Sequence, residues 1–399
     1  MDITIQPQRL RGDVDVIPSK SQAHRLLICA AFAETSTYLI CPHTNRDIEA
    51  TVDCLNGLGA NIERTDDGYN IQPIAQIPGS ATLNCCESGS TLRFMLPIVG
   101  ALGVETIFKM EGRLPQRPLS PLWEEMERMG CMLAFVSESE LRCQGQLHPG
   151  DYHIDGGVSS QFITGLLFAT SLMTGNSTIH IIGNLESKPY VDMTRQAMAQ
   201  FGIETADFRI KGGQTYRSPT HITVEGDWSN GAFWLTGNAI GCNIEISNLD
   251  PDSLQGDRAI ADILKKLDKC APSISAADIP DLVPILSVAA AAKNGAVFTN
   301  IRRLRLKESD RVASTIAMLE ALGGKAVATE ETLTIHPTPF IGGTVDACND
   351  HRIAMATAIA ATCCTNPVTI LGAECVKKSY PKFWEEYARL GGNYEFHLR

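Results

Sequence analysis

A helix that closes on glycine and runs into a short strand recurs along this chain, and this recurrence restricts the possible folds more than any other feature. Amphipathic helix-then-strand stretches are expected at 52–63 (closing on Leu58-Gly59), 122–135 (Met129-Gly130), 194–205 (Phe201-Gly202), 315–328 (Leu322-Gly323) and 384–396 (Leu390-Gly391). A degraded sixth copy at 258–274 has Lys269 where the glycine would stand. Glycine just past a helix accepts the left-handed cap conformation, which explains its return. A second pattern alternates with the first: a small polar opening, an apolar helix, then a β-branched strand. Its openings are Ser19-Lys20-Ser21, Ser88-Gly89-Ser90, Ser159-Ser160-Gln161, Ser229-Asn230-Gly231, Asp281-Leu282-Val283 and Asp350-His351-Arg352. Strands are expected after them at 37–40, 105–109, 177–182, 243–247, 296–300 and 367–371.

Copies recur at intervals of roughly 55 to 75 residues, so each unit reads strand–helix–strand–helix–strand–strand. The chain of 399 residues is too long for one ordinary core. Six units therefore divide into two α/β domains of three, with helices inside and sheets outside. No Gly-x-Gly-x-x-Gly follows the first strand and no P-loop is present, which disfavours a nucleotide-binding sheet.

The formal net charge of -11 argues against nucleic acid or an anionic membrane as partner, since both need a broad basic surface. No apolar stretch approaches the roughly 18 residues of a membrane span. The start, Met1-Asp2-Ile3-Thr4-Ile5, lacks the basic-then-apolar pattern of a signal peptide. Thirteen scattered cysteines contain no Cys-x-x-Cys pair, so neither a zinc site nor a disulfide framework is expected. Reduced thiols, a cytoplasmic location, no metal and no cofactor are the expectations.

A helix N-terminus offers unpaired N–H groups and a positive dipole end, suited to phosphate or carboxylate. One Ser or Asp opening is ordinarily a plain N-cap. Six openings accompanied by Lys20, Arg25, Arg93, Arg117, Lys188, Arg352 and Lys378 point instead to anionic ligands. Lys20 and Arg25 fall in the first turns of a helix, where the dipole disfavours cations. Arg113 and Arg117 sit in a proline-stiffened loop that would present a guanidinium fork at low entropic cost. Arg303, Arg305 and Lys307 alternate with leucines, so a strand here would put three cations on one face.

Eight segments then resemble one family. Pro18-Ser19-Lys20-Ser21 with Arg25, Ser88-Gly89-Ser90-Thr91-Leu92-Arg93, Ser159-Ser160-Gln161-Phe162 and Ser187-Lys188-Pro189-Tyr190 are similar to motifs of the 5-enolpyruvylshikimate-3-phosphate synthases. So are Ile279-Pro280-Asp281, Lys307-Glu308-Ser309-Asp310-Arg311, Asn349-Asp350-His351-Arg352 and Lys378-Ser379-Tyr380-Pro381, all in the family's order. The resemblance implies a two-domain inside-out α/β barrel. Residues 1–17 plus 227–399 would form domain one, 18–226 domain two, and the active site would lie in the cleft between them.

By matched position, shikimate 3-phosphate would meet Lys20, Ser21, Arg25, Ser159, Ser160, Gln161, Ser187, Tyr190, Asp281 and Lys307. Phosphoenolpyruvate would meet Lys20, Gly89, Arg117, Gln161, Arg311, Arg352 and Lys378. Asp281, Glu308 and Lys20 would be catalytic, the two carboxylates carrying protons. The implied reaction adds the 5-hydroxyl of shikimate 3-phosphate to C2 of phosphoenolpyruvate while C3 gains a proton. The adduct then loses a C3 proton and expels phosphate, whose charge the cations neutralise without a metal. The family also implies a place in chorismate and aromatic amino acid biosynthesis, inhibition by glyphosate, and a monomer.

Three positions depart from the family's usual pattern: Glu87, where many members have Asn, Phe94, where some have Pro, and Arg303, often Asn. The sister UDP-N-acetylglucosamine enolpyruvyl transferases would show Lys-Asn at 20–21 and a cysteine in 110–121, and this chain shows neither. A non-catalytic anion-binding descendant would have lost charged site residues that are present here.

Overall fold

The computed structural model describes residues 1–397. The chain forms two compact units, one of Pro18–Glu225 and one of Met1–Ile17 with Gly226–Arg399, called here the terminal unit. Gly226, expected at the end of the 18–226 domain, groups with the terminal unit, where its carbonyl accepts a hydrogen bond from Gln255.

The 18–225 unit carries helices α1 (Lys20–Ala31), α2 (Arg46–Gly57), α3 (Gly89–Leu102), α4 (Leu122–Arg128), α5 (Ser160–Ser171) and α6 (Lys188–Gln200). Its most regular repeat is a sheet in the order Ser80–Asn84, Glu105–Lys109, Glu140–Gly145, Cys131–Ser137, with α3 and α4 in the crossovers. The first pair is parallel and the other two antiparallel. A second sheet has the same order, but its leading strand, His221–Thr223, comes from the far end of the unit to pair with Thr37–Ile40. The third is shortened to Asp151–Asp155, Ser177–Ile182 and Arg209–Ile210.

The terminal unit carries α7 (Trp228–Ala239), α8 (Ile260–Leu267), α9 (Val283–Ala292), α10 (Arg311–Ala321), α11 (His351–Ala361) and α12 (Phe383–Arg389). One repeat is complete, in the order Ser273–Ser275, Ala296–Thr299, Thr332–His336, Lys325–Ala328. The N-terminal strand Asp2–Gln6 lies between Val368–Leu371 and Asn393–His397, while Arg11–Asp15 pairs in parallel with Asn243–Ser247. That last two-stranded sheet belongs to the degraded copy of the repeat.

Burial separates two helix classes within each unit. In α3 all but two of fourteen residues are buried, and in α11 every residue is. In α2 and α6 only about one face is buried. The inner helices are rich in Ala and Gly because their backbones approach closely. A Cβ at Gly165 of α5 would lie 2.3 Å from the Arg93 carbonyl of α3. Gly59, Gly130, Gly202, Gly323 and Gly391 all have positive φ, between 79° and 114°, so the glycine-closed outer helices form as expected.

Two expectations fail. Two outer helices begin well before their apolar pattern suggests: α2 starts at Arg46 after the Asn45 cap, and α6 at Lys188, whereas α4 starts at Leu122 as expected. Their first turns hold a single buried aliphatic residue each, Ile48 and Val191, too few to show a period. The basic stretch is not a strand, because Arg302–Leu306 is a 3₁₀ turn. Its cations diverge: Arg302 pairs with Glu330 and Glu331, and Arg305 lies 3.5 Å from Asp310. Among the described residues no helix is long and apolar enough to cross a membrane, and all thirteen cysteines are free.

Candidate active-site residues

In the 18–225 unit the inner helices open on serine caps. Ser19 Oγ accepts from the Gln22 N–H, Ser88 Oγ from Thr91 and Ser159 Oγ from Gln161. A neutral cap satisfies one N–H and leaves the others, with the dipole, for an anion. Lys20, first residue of α1, places Nζ 2.9 Å from Asp47 Oδ2, both side chains mostly buried. Gln161 ties two helices together: its Nε2 donates to Ser90 Oγ at 2.9 Å and its Oε1 accepts from Arg93 Nη1 at 2.8 Å. Arg93 Nη2 reaches the Pro118 carbonyl at 3.1 Å, which fixes the loop carrying Arg117.

Arg117 lies against Gly89, where an added Cβ would stand 2.6 Å from Nη1. Its Nε is buried without a hydrogen-bond partner. Glu87 packs on the turn at Gly112 (φ +55°), where an added Cβ would collide with its carboxylate. Phe94 is buried under Arg25, with the guanidinium 5.2 Å from the ring centre.

Arg25 is a brace. Its Nε donates to Thr194 Oγ1 at 2.8 Å, Nη1 to the Ser21 carbonyl at 2.5 Å and Nη2 to the Tyr190 carbonyl at 2.9 Å. Burial lowers its pKa to about 10, so the guanidinium stays charged at neutral pH. It thereby joins Ser21 to the start of α6, where Ser187 holds a left-handed conformation (φ 55°) and is buried. Ser160 is buried beside its cap.

In the terminal unit the openings are carboxylates. Asp350 caps α11, accepting from the Arg352 N–H, while its other oxygen accepts from Ser309 Oγ at 3.0 Å and Arg311 Nε at 2.9 Å. Arg311, only 1% exposed, is gripped three ways: Nε to Asp350, Nη1 to Asp281 at 2.5 Å and Nη2 to Glu308 at 2.6 Å. Three of its five N–H groups are thus committed to carboxylates. Asp281 does not cap α9, which begins at Val283 after Leu282. Its carboxylate instead faces Arg311, Arg352 Nη2 at 3.5 Å and Lys307 Nζ at 3.9 Å. Lys378 Nζ donates to the Asn349 carbonyl at 2.9 Å. The cap of α7 is Asp227 rather than Ser229, its Oδ1 accepting from the Asn230 N–H.

Charge follows geometry. Burial alone would raise the Asp281 carboxyl, but Arg311, Lys307 and Arg352 hold it well below the usual carboxylate range. Burial pushes the Lys307 ammonium down to about 8, with Arg311 and Arg303 adding to the effect and Asp281 opposing it. The pattern reading missed Asp47, Asp257 and the grip of Asp350 on Arg311. Only the Asp350 opening left a signal, as a helix cap.

The family described as EPSP synthase (3-phosphoshikimate 1-carboxyvinyltransferase) matches residues 5–272 and 271–387. A protein of Clostridium kluyveri named 3-phosphoshikimate 1-carboxyvinyltransferase is 40% identical, covering 98% of this chain and 97% of its own. One of the same name from Clostridium acetobutylicum is 40% identical with the same coverage. An EPSP synthase structure from Acinetobacter baumannii superposes with a TM-score of 0.80 at 22% identity, over 99% of this chain and all of that one. Its identity is too low to carry more than the fold. On the full-length match of sequence and the recurrence of the fold, the chain belongs to the EPSP synthase family.

Proposed function

We propose that this chain transfers the enolpyruvyl group of phosphoenolpyruvate to the 5-hydroxyl of shikimate 3-phosphate with the residues described above. Enolpyruvyl transfer in the shikimate pathway is the activity for which its relatives are named. The observation that carries the residue assignment is the shared Asp281 carboxylate, faced at once by Arg311, Arg352 and Lys307.

Lys20, Ser21, Arg25, Ser159, Ser160, Gln161, Ser187, Tyr190, Asp281 and Lys307 bind shikimate 3-phosphate, Arg25 also holding Ser21 and Tyr190 in place. Lys20, Gly89, Arg117, Gln161, Arg311, Arg352 and Lys378 bind phosphoenolpyruvate. Asp281 orients the 5-hydroxyl and takes its proton as oxygen adds to C2. Glu308 and Lys20 move the proton at C3, on during addition and off during elimination. A carboxylate held as low as Asp281 is a weak base. The anions of phosphoenolpyruvate draw Arg311 and Arg352 toward themselves, loosen their hold and let the Asp281 pKa rise toward the working range. Phosphate leaves stabilised by the same cations. The chain works as a monomer in the reducing cytoplasm, which suits its free thiols.

A coupled phosphate-release assay tests this. Phosphate should appear only with shikimate 3-phosphate and phosphoenolpyruvate together. Release with UDP-N-acetylglucosamine in place of shikimate 3-phosphate, or none with either acceptor, would refute it.

A further inference from the structure

Asp257 is a buried carboxylate for which the reaction above has no use. It is 2% exposed and lies in the 3₁₀ segment Gly256–Ala259 that precedes α8. One oxygen accepts from Ser229 Oγ, and the other is buried without a hydrogen-bond partner. Burying a carboxylate on one serine is costly, so an apolar residue would serve a mere filling role better.

What Asp257 holds explains its position. Two residues earlier, Gln255 grips the same stretch: its Oε1 accepts from the Trp228 N–H at 3.0 Å and its Nε2 donates to the Gly226 carbonyl at 2.8 Å. Gln255 and Asp257 together clamp residues 226–229, the entry to α7. From that clamped turn the Ser229 carbonyl accepts Arg352 Nη1 at 3.1 Å, and Arg352 Nη2 reaches Asp281 Oδ2 at 3.5 Å. A continuous path therefore runs Asp257, Ser229, Arg352, Asp281.

We propose that Asp257 is a positioning residue for enolpyruvyl transfer, fixing through Ser229 the carbonyl that aims the Arg352 guanidinium. The charged neighbours fit this role. Burial, then Asp281 and more weakly Asp227, push the Asp257 carboxyl up to about 7, while Arg352 and the Ser229 hydroxyl oppose. Against burial, Asp281, Asp227 and, more weakly, Asp257 favour the charged form of the Arg352 guanidinium. The role rests on the assignment of Arg352 to phosphoenolpyruvate.

The test uses the full-length enzyme with both substrates. Asp257→Ala should raise the KM for phosphoenolpyruvate about tenfold with kcat within about threefold, the loss expected when a hydrogen bond to a charged binding group is misaimed. Asp257→Asn, which keeps an acceptor for Ser229, should stay near wild type. Ser229→Ala should reproduce the Asp257→Ala effect, and the double variant should be no worse than the poorer single one, because both cut the same path. A lowered melting temperature with an unchanged KM would make Asp257 a structural residue and overturn the proposal, as would additive effects in the double variant. If Asp257→Ala does not fold, Ser229→Ala decides by the same KM. Arg352→Ala separates the positioning role of Asp257 from the assignment of Arg352 to phosphoenolpyruvate. A raised KM there beside a normal Asp257→Ala removes only the positioning role, whereas a normal KM in Arg352→Ala removes the Arg352 assignment and the role with it.

Discussion

The two units repeat one architecture but open their inner helices differently. In the 18–225 unit α1, α3 and α5 start on Ser19, Ser88 and Ser159, neutral caps that leave the positive helix ends uncancelled. In the terminal unit α7 and α11 start on Asp227 and Asp350, and Asp281 stands just ahead of α9. These carboxylates cancel the dipoles, and the terminal unit compensates with the buried guanidinium groups of Arg311 and Arg352. One scaffold thus yields hydroxyl-capped helix ends in one unit and a cross-linked charge network in the other. Rigid neutral donors suit recognition, and coupled ionisable groups suit proton movement.

The largest expected effect tests that division. Asp281→Ala should lower kcat by about 10² to 10⁴-fold with little change in the KM for shikimate 3-phosphate. Ser160→Ala in the other unit should do the reverse, raising that KM with turnover nearly kept. Steady-state kinetics beside thermal melts separates these results from unfolding. Equal losses of turnover in the two variants would break the contrast.

A smaller effect is expected at Gly89, where the serine-capped unit meets its own arginine. An added methyl would stand 2.6 Å from Arg117 Nη1 and 3.0 Å from Arg93 Nη1, so the guanidinium groups must give way. Gly89→Ala should raise the KM for phosphoenolpyruvate about tenfold, since displacements on the scale of 1 Å are expensive in a positioned site. Glyphosate, whose phosphonate and carboxylate resemble the anionic ends of phosphoenolpyruvate, should compete with it and lose more affinity than the substrate in this variant. Glu87 packs on Gly112. A phosphoenolpyruvate KM that stays flat across a glyphosate series would rule out a shared site.

How much of this was legible in the sequence follows from the range of each interaction. Helix-closing glycines are local, and all five take the left-handed conformation their position demands. The alternation of Arg303, Arg305 and Lys307 with leucines imitates a strand, because five residues of 3₁₀ turn are too few to show their own period. Motif positions located Arg311, yet its partners Asp281 and Asp350 lie 30 and 39 residues away, so its saturation by carboxylates could not be read from spacing. Asp257 left no signal, since a buried Asp and a surface Asp look alike in one sequence. The same holds for Asp47, whose pairing with Lys20 joins residues 27 apart.

The smallest effect concerns the cation that the terminal unit sets nearest neutrality. Lys307 is held at about 8 by burial and by its cationic neighbours, so its ammonium loses the proton as pH rises through that value. If the charged form binds shikimate 3-phosphate, the KM for that substrate should climb about twofold between about pH 7 and 8 and approach tenfold near pH 9. The sign is fixed by the direction of the shift: a lowered lysine pKa brings the loss of charge into the working range, and the loss weakens binding of an anion. Binding should in turn raise the pKa, so near pH 8 the complex takes up protons, measurable by calorimetry in two buffers of different ionisation heat. Lys307→Arg keeps its charge throughout, and its KM should show no such limb. A rate that rises through pH 8, with the rise lost in Lys307→Arg, would make Lys307 a base. Proton chemistry would then extend beyond the two carboxylates to a residue assigned here to binding. A flat profile in the wild-type enzyme would remove Lys307 from both roles.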